Sequence, residues 1–230
     1  TLGHGRVGQL EAQDHTTPDA PRVQQLLAGF LEAGLNSAAM EVSSHALSQN
    51  RVDGVRFHTA ILTNLGRDHL DFHVDMDNYA AAKRMLFRMP GLRTAVLNAA
   101  DPFAGTVRQV LDPTVQVVDY ALDTDLIAAN RRDHPRVLGF DYQPRLQGMR
   151  LGVELPSGCF DADVDLLGRF NASNLLAVVA TLVALGWPLE TIREAVARIR
   201  SIPGRMEPFH HPDGSTLVVD YAHTPGALAS

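Results

Sequence analysis

The sequence predicts an α/β fold: a mostly parallel sheet flanked by helices, with a small antiparallel β appendage. Two observations predict it. From residue 17 to about residue 118, short apolar runs alternate with helical stretches, the pattern of a parallel sheet carrying helices on its faces. Over residues 136–168 the pattern changes to short alternating runs broken by Gln143-Pro144 and Pro156-Ser157-Gly158, which reads as an antiparallel meander on one edge.

The elements follow in order. Residues 1–14 are Gly-rich and polar, a loop or irregular strand; Gly3-His4-Gly5-Arg6-Val7-Gly8 has the look of a dinucleotide fingerprint but follows no strand and opens no helix. Thr17-Pro18-Asp19 supplies a hydroxyl cap, an early proline and a first-turn acid for a helix. Val23, Leu26, Leu27, Phe30 and Leu31 then recur at helical spacing until Gly34. Residues 37–42 are predicted as a buried strand and 59–63 as another, and 76–89 as a helix closed by Pro90-Gly91. A strand at 94–97, a helix near 102–111 and a strand at 115–118 continue the alternation. Helices return at 171–185 and 189–199, and a last strand, 216–220, runs into Tyr221-Ala222-His223-Thr224-Pro225. With no repeat and no low-complexity linker, one α/β domain with a β appendage is the economical reading.

The 230 residues, 45% hydrophobic and 20% charged, suit a soluble globular protein with a sizeable core. A net charge of −6 offers no basic footprint, so nucleic acid is not an expected partner. Apolar runs such as 175–185 are too short to span a bilayer, so no membrane partner is expected. The single cysteine, Cys159, excludes an internal disulfide, fits a reducing cytoplasm and reads as a small core or half-buried residue.

Ligands of open α/β sheets collect at the carboxyl ends of strands. Glu41 ends one predicted strand, and residues 64–69 follow the next. If those strands are neighbours, Glu41 and His69 meet above the sheet edge, where a carboxylate and an imidazole completed by water or phosphate would suit Mg²⁺. Equally, Glu41 pairs with Arg67 and His69 is a satisfied core histidine; on the residues alone the two readings stand level. Lys83 follows three alanines that let a helix pack close to the sheet, though an isolated helical lysine is usually solvated.

Longer motifs shift that balance. Glu41-Val42-Ser43-Ser44-His45, Thr63-Asn64-Leu65, Arg67-Asp68-His69-Leu70-Asp71 with His73, and Ala81-Ala82-Lys83 resemble the central domain of the Mur ligases, and among these the MurE group. His15-Thr16-Thr17-Pro18, Gln49 with Arg51-Val52, Gly168 with Phe170-Asn171 and Asn174, Pro203-Gly204-Arg205-Met206-Glu207 and Asp220-Tyr221-Ala222-His223-Thr224-Pro225 extend the resemblance, in the family's order, over nearly the whole chain.

The resemblance implies an ATP-dependent ligase of peptidoglycan synthesis, cytoplasmic, that adds the third amino acid to UDP-N-acetylmuramoyl-L-Ala-D-Glu through an acyl phosphate. It implies Mg²⁺ held by Glu41, His69 and Lys83, with Lys83 carbamylated by CO₂ to N6-carboxylysine. Carbamylation needs a neutral amine, hence a partly desolvated lysine. Thr16, Thr17, Ser43, Gln49 and Arg51 are implied as contacts to the muramoyl dipeptide, although Thr16-Thr17 also reads as a helix cap and Arg51 as a surface charge before the Asp53-Gly54 turn. Asn171 and Asn174, three apart on one helix face, are implied for adenine, although Asn171 alone also reads as a helix cap; Arg205 is implied for phosphate, Asp220 for ribose, and His223 for the nucleotide. Met206, Phe209 and Tyr221 read as packing.

Two features depart from the family. The phosphate-loop run Gly-x-x-Gly-Lys-Thr-Thr does not occur, and neither an N-terminal uridine-binding domain nor a C-terminal amino-acid domain is represented. The expected organisation is therefore residues 1–220 as an incomplete central domain, with the appendage at about 136–168 and 221–230 as the start of a linker. By itself this polypeptide is expected to lack ligase activity, the nucleotide cradle being absent, and to expose strand edges and an apolar face. The alternatives are another member of the superfamily, such as a folylpolyglutamate synthase, and a non-catalytic nucleotide- or muropeptide-binding module. The added amino acid (diaminopimelate, lysine or ornithine) is not read from the sequence.

Overall fold

The computed structural model describes residues 2–125 and 136–222. They gather into two compact units: residues 2–58, 69–92 and 110–112 in the first, and residues 59–68, 93–109, 113–125 and 136–222 in the second.

The second unit is built on one six-stranded sheet of order β3-β4-β5-β6-β7-β8. Its strands are β3 (Thr59–Leu62), β4 (Thr94–Asn98), β5 (Gln116–Leu122), β6 (Arg136–Arg145), β7 (Gly148–Leu155) and β8 (Gly158–Val164). β3 to β6 run parallel, and β7 and β8 pair antiparallel. The predicted appendage is thus continuous with the sheet, because β6 joins β5 in parallel before the meander turns back. β4 and most of β5 are buried on both faces, as near-continuous apolar runs should be, whereas β8 alternates Phe160, Ala162 and Val164 inward with Asp161 and Asp163 outward. Cys159, expected in or near the core, is exposed on this edge strand, because it falls on the outward phase of that alternation.

Helices α6 (Arg169–Ala184) and α7 (Leu189–Val196) close the core of this unit. Leu175, Leu176, Val179 and Ile192 are fully or nearly fully buried against Val96, Val118, Tyr120, Leu122, Val137 and Leu151. Gly139 permits the close approach, since a Cβ there would lie 2.8 Å from both Leu122 and Leu176 side chains. The Tyr120 hydroxyl donates to the carbonyl of Leu62 at 2.9 Å, so β5 is tied across β4 to the end of β3; burial raises its phenol far above the ordinary range. The short helix α5 (Phe103–Arg108) belongs to the same unit, and its Arg108 pairs with the buried Asp119 of β5.

A separate hairpin of β9 (Glu207–His210) and β10 (Thr216–Val219) ends the described chain. β9 was not expected. Phe209 and Tyr221, expected as packing residues, are 49% and 67% exposed, on and beside a hairpin that among the described residues forms a two-stranded sheet of its own.

The first unit carries a small hairpin, β1 (His4–Arg6) with β2 (Gln9–Glu11), and helices α1 (Ala20–Glu32), α2 (Ser44–Ser48), α3 (Leu70–His73) and α4 (Met76–Met85). Helix α1 starts later than the hydroxyl cap predicted: Asp19 is the N-cap and accepts from Arg22 N–H, while Thr17 turns inward. Residues 37–42 form no strand and are largely exposed, since no described strand pairs with them; Glu41 therefore sits on extended coil ahead of α2. Helix α4 packs on α2 and α3, with Tyr79 and Ala82 buried, where the alanine run suggested packing on a sheet.

Candidate functional site

The site in the first unit begins at Thr17, which is 1% exposed. Its hydroxyl donates to the Glu41 carbonyl at 2.9 Å and accepts from Ser43 N–H at 3.0 Å, so one side chain satisfies two backbone groups of the coil that carries Glu41. Ser43 in turn caps α2, its Oγ accepting from Ala46 N–H at 3.1 Å. Arg51 donates through Nη1 to the Thr17 carbonyl at 2.8 Å and through Nε to Gln49 Oε1 at 2.9 Å. Thr17, Glu41, Ser43, Gln49 and Arg51, singled out separately in the sequence, are joined in one hydrogen-bonded cluster. Arg51 is not a free surface charge but half-buried and anchored. Thr16 lies at the exposed edge beside Thr17.

A second group adjoins it through α2. His45 meets His69 edge-on at 5.0 Å between ring centroids and packs on Phe72 at 4.2 Å and His73 at 5.5 Å. His73 is buried, and its Nε2 lies 2.8 Å from Ser44 Oγ. Tyr79 lies against His73 at 5.2 Å and His69 at 6.0 Å, and Lys83 Nζ stands 5.6 Å from its centroid. Tyr79 and Lys83 are one helical turn apart on α4, which is why they share a face. His69 takes a left-handed backbone (φ 57°) where the chain enters α3, and Val74 (φ 72°) leaves it. Burial, then the neighbouring His69, lower the pKa of both His45 and His73, so both rings are held toward the neutral form.

In the second unit, the stretch after β3 is pinned at its start: Asn98 donates to the Thr63 carbonyl at 2.8 Å, and Asp101 accepts from Leu65 N–H at 2.9 Å. Asn171 and Asn174 share one face of α6 and are bonded to each other at 3.3 Å, while Asn171 Nδ2 also donates to the Leu167 carbonyl at 2.8 Å. Asp220 accepts from Met206 N–H at 2.8 Å and Ala222 N–H at 2.7 Å, and the Arg205 guanidinium lies 5.1 Å over the Tyr221 ring. Among the described residues, no hydrogen bond of Asn171 or Asn174 reaches Arg205 or Asp220. His223 lies outside the described residues.

Residues 1–182 match the family model described as the Mur ligase middle domain. The chain belongs to the Mur ligase family. Among curated Mur ligases, it is 48% identical over 228 residues to the UDP-N-acetylmuramoyl-L-alanyl-D-glutamate–2,6-diaminopimelate ligase of Alkalilimnicola ehrlichii, covering 99% of this chain and 44% of that protein. It is 43% identical over 229 residues to the ligase of the same name from Chromobacterium violaceum, again covering 99% of this chain and 44% of the relative. A solved UDP-N-acetylmuramoyl-L-alanyl-D-glutamate–2,6-diaminopimelate ligase superposes with a TM-score of 0.83 at 31% identity, over 99% of this chain and 45% of its own. The chain thus spans about half the length of the Mur ligases it matches.

Ser44, His45, His73 and Tyr79 were not singled out as site residues. Ser44, His45 and His73 stand inside motifs that flagged their neighbours, and Tyr79 is one turn before Lys83. That spacing was the available signal for Tyr79.

Proposed function

We propose that this chain is the central part of an ATP-dependent ligase that joins 2,6-diaminopimelate to UDP-N-acetylmuramoyl-L-Ala-D-Glu. The observation that carries the reading is the junction of Thr17, Glu41, Ser43, Gln49 and Arg51 in one cluster that touches, through Ser44 and His45, the group holding His69, Tyr79 and Lys83. The names of the relatives supply the amino acid.

The reaction makes an amide from a carboxylate and an amine. ATP converts the substrate carboxylate to an acyl phosphate, the amine then attacks its carbonyl carbon, and phosphate leaves. In this reading Arg51 and Gln49 face the dipeptide carboxylates, and the Thr16-Thr17 segment orients the muramoyl peptide. Asn171 and Asn174 read adenine, Arg205 meets phosphate, Asp220 the ribose, and His223 lies by the nucleotide.

Glu41, His69 and Lys83 would hold Mg²⁺, which when bound would offset the charge gathered on phosphoryl oxygens. The donor set fits. Glu41 offers an exposed carboxylate, His69 an exposed imidazole, and His69 and Lys83 border the same buried ring. Among the described residues no three His, Cys, Asp or Glu side chains gather as a metal set; in this reading the third donor, beside the Glu41 carboxylate and the His69 imidazole, is the carbamate oxygen of Lys83. In that step the neutral Nζ attacks CO₂, an N–C bond forms, a π pair moves to oxygen, and the N–H proton passes to solvent.

The test uses the full-length gene product that carries this chain. ADP release should require both UDP-N-acetylmuramoyl-L-Ala-D-Glu and 2,6-diaminopimelate, and Lys83→Ala should lower kcat by at least about 100-fold. Turnover with a folate and glutamate instead would favour the folylpolyglutamate reading and defeat this one.

A further inference from the structure

The ring that His69 and Lys83 border has no part in the chemistry above. Tyr79 is 5% exposed and touches three polar side chains at once. His69 meets it edge-on, the ring planes at 79°. His73 lies tilted on it at 35°, and is itself held by the buried 2.8 Å contact to Ser44 Oγ and packed against Phe72 at 4.8 Å. Lys83 Nζ stands over it. Two side chains from different segments, α4 and the entry to α3, are therefore referenced to one buried ring that packs on a histidine itself held by a buried hydrogen bond.

We propose that Tyr79, backed by the Ser44–His73 contact, is a positioning residue that holds His69 and the Lys83 amine in register for one shared cation. The inference rests on the metal reading above and adds to it the group that sets the geometry. A lysine has four rotatable stem bonds, and ordering so long a side chain costs conformational entropy. A wall that restricts Lys83 before the carbamate forms removes part of that cost from metal binding. In the carbamylation of Lys83 the ring contributes placement only.

The experiment compares the full-length protein with Tyr79→Leu, Tyr79→Phe and Ser44→Ala. Carbamate on Lys83 is read by NMR with isotope-labelled bicarbonate, Mg²⁺ affinity by calorimetry, and folding by the thermal midpoint. Tyr79→Leu should lower carbamate occupancy and weaken Mg²⁺ binding at least about tenfold, within the range for groups that orient metal ligands. Tyr79→Phe keeps the ring and should stay within about twofold, and Ser44→Ala should fall between, at about threefold. A folded Tyr79→Leu protein with unchanged carbamate and Mg²⁺ affinity overturns the proposal. If Tyr79→Leu does not fold, Ser44→Ala decides, and its unchanged carbamate and affinity overturn the proposal in the same way. A parent protein with neither carbamate nor Mg²⁺ binding overturns the metal reading instead.

Discussion

Each unit buries three polar residues, Thr17, Ser44 and His73 in the first and Thr94, Asp119 and Asn171 in the second, but the two differ in the apolar core around them. The second buries a contiguous apolar cluster in which Val96, Val118, Leu151, Leu176 and Ile192 are no more than 1% exposed. The first buries Thr17, Ser44 and His73 along with its apolar residues, and each of those three polar groups has a hydrogen-bond partner. Removing apolar bulk costs a cavity, whereas removing one member of a buried polar network strands its partners. The side chains with chemical potential in the first unit therefore stand where position depends on complete hydrogen bonding. The larger core supplies a rigid frame for Asn171 and Asn174.

Four substitutions or conditions test that contrast, from the largest effect down. Leu176→Ala should cost about 2–5 kcal/mol in the second unit, read as a lowered denaturant midpoint. A loss below about 1 kcal/mol would mean the sheet and α6 are less tightly packed than their burial indicates. Thr17→Val preserves shape but leaves the Glu41 carbonyl and Ser43 N–H without their hydroxyl partner, costing about 1–3 kcal/mol. Hydrogen exchange should accelerate at Ser43 and through α2 while the α6 amides keep their protection.

Acidification separates the units next. His45 and His73 have lowered pKa values, so below the ordinary histidine value of about 6.5 the unfolded chain binds protons that the folded first unit does not. Stability of that unit is independent of these groups above that pH and falls as pH drops toward their folded values. Exchange at α2 and α3 amides on going from about pH 7.5 to about pH 5.5, corrected for intrinsic rates, checks the sign. Greater protection at the lower pH would contradict it. Val74→Gly should have the smallest effect and the opposite direction. The strain of a β-branched residue at φ 72° is about 1–3 kcal/mol, against an entropic cost of about 0.5–1 kcal/mol for glycine. The net expectation is a gain of about 1 kcal/mol, seen as a raised thermal midpoint.

Legibility in the sequence followed the same division. Strands β4, β5 and β8 declared themselves because burial on two faces or one imposes a continuous or alternating pattern. The joining of β6 to β5 did not, since backbone pairing leaves no trace in side-chain period. Residues 37–42 misled because an apolar run reads as a strand whether or not a neighbour pairs with it. The Thr17-Pro18-Asp19 run marked a helix start correctly but named the wrong cap, as Thr17 found better partners in the segment 24 residues onward, at Glu41. Glu41, His69 and Lys83 were singled out from their motifs; the ring contacts of Tyr79 with His69 and the Ser44–His73 contact were not, because they join residues of different segments.

By itself, then, the sequence determined the fold class, the alternation of elements and the family, since each rests on local periodicity or on runs of adjacent residues. Tertiary structure alone decided that Thr17, Glu41, Ser43 and Arg51 form one cluster and that Tyr79 underlies His69 and Lys83. The hydrogen bonds of that cluster join segments 24 to 34 residues apart, and periodicity along the chain does not encode distances between such segments.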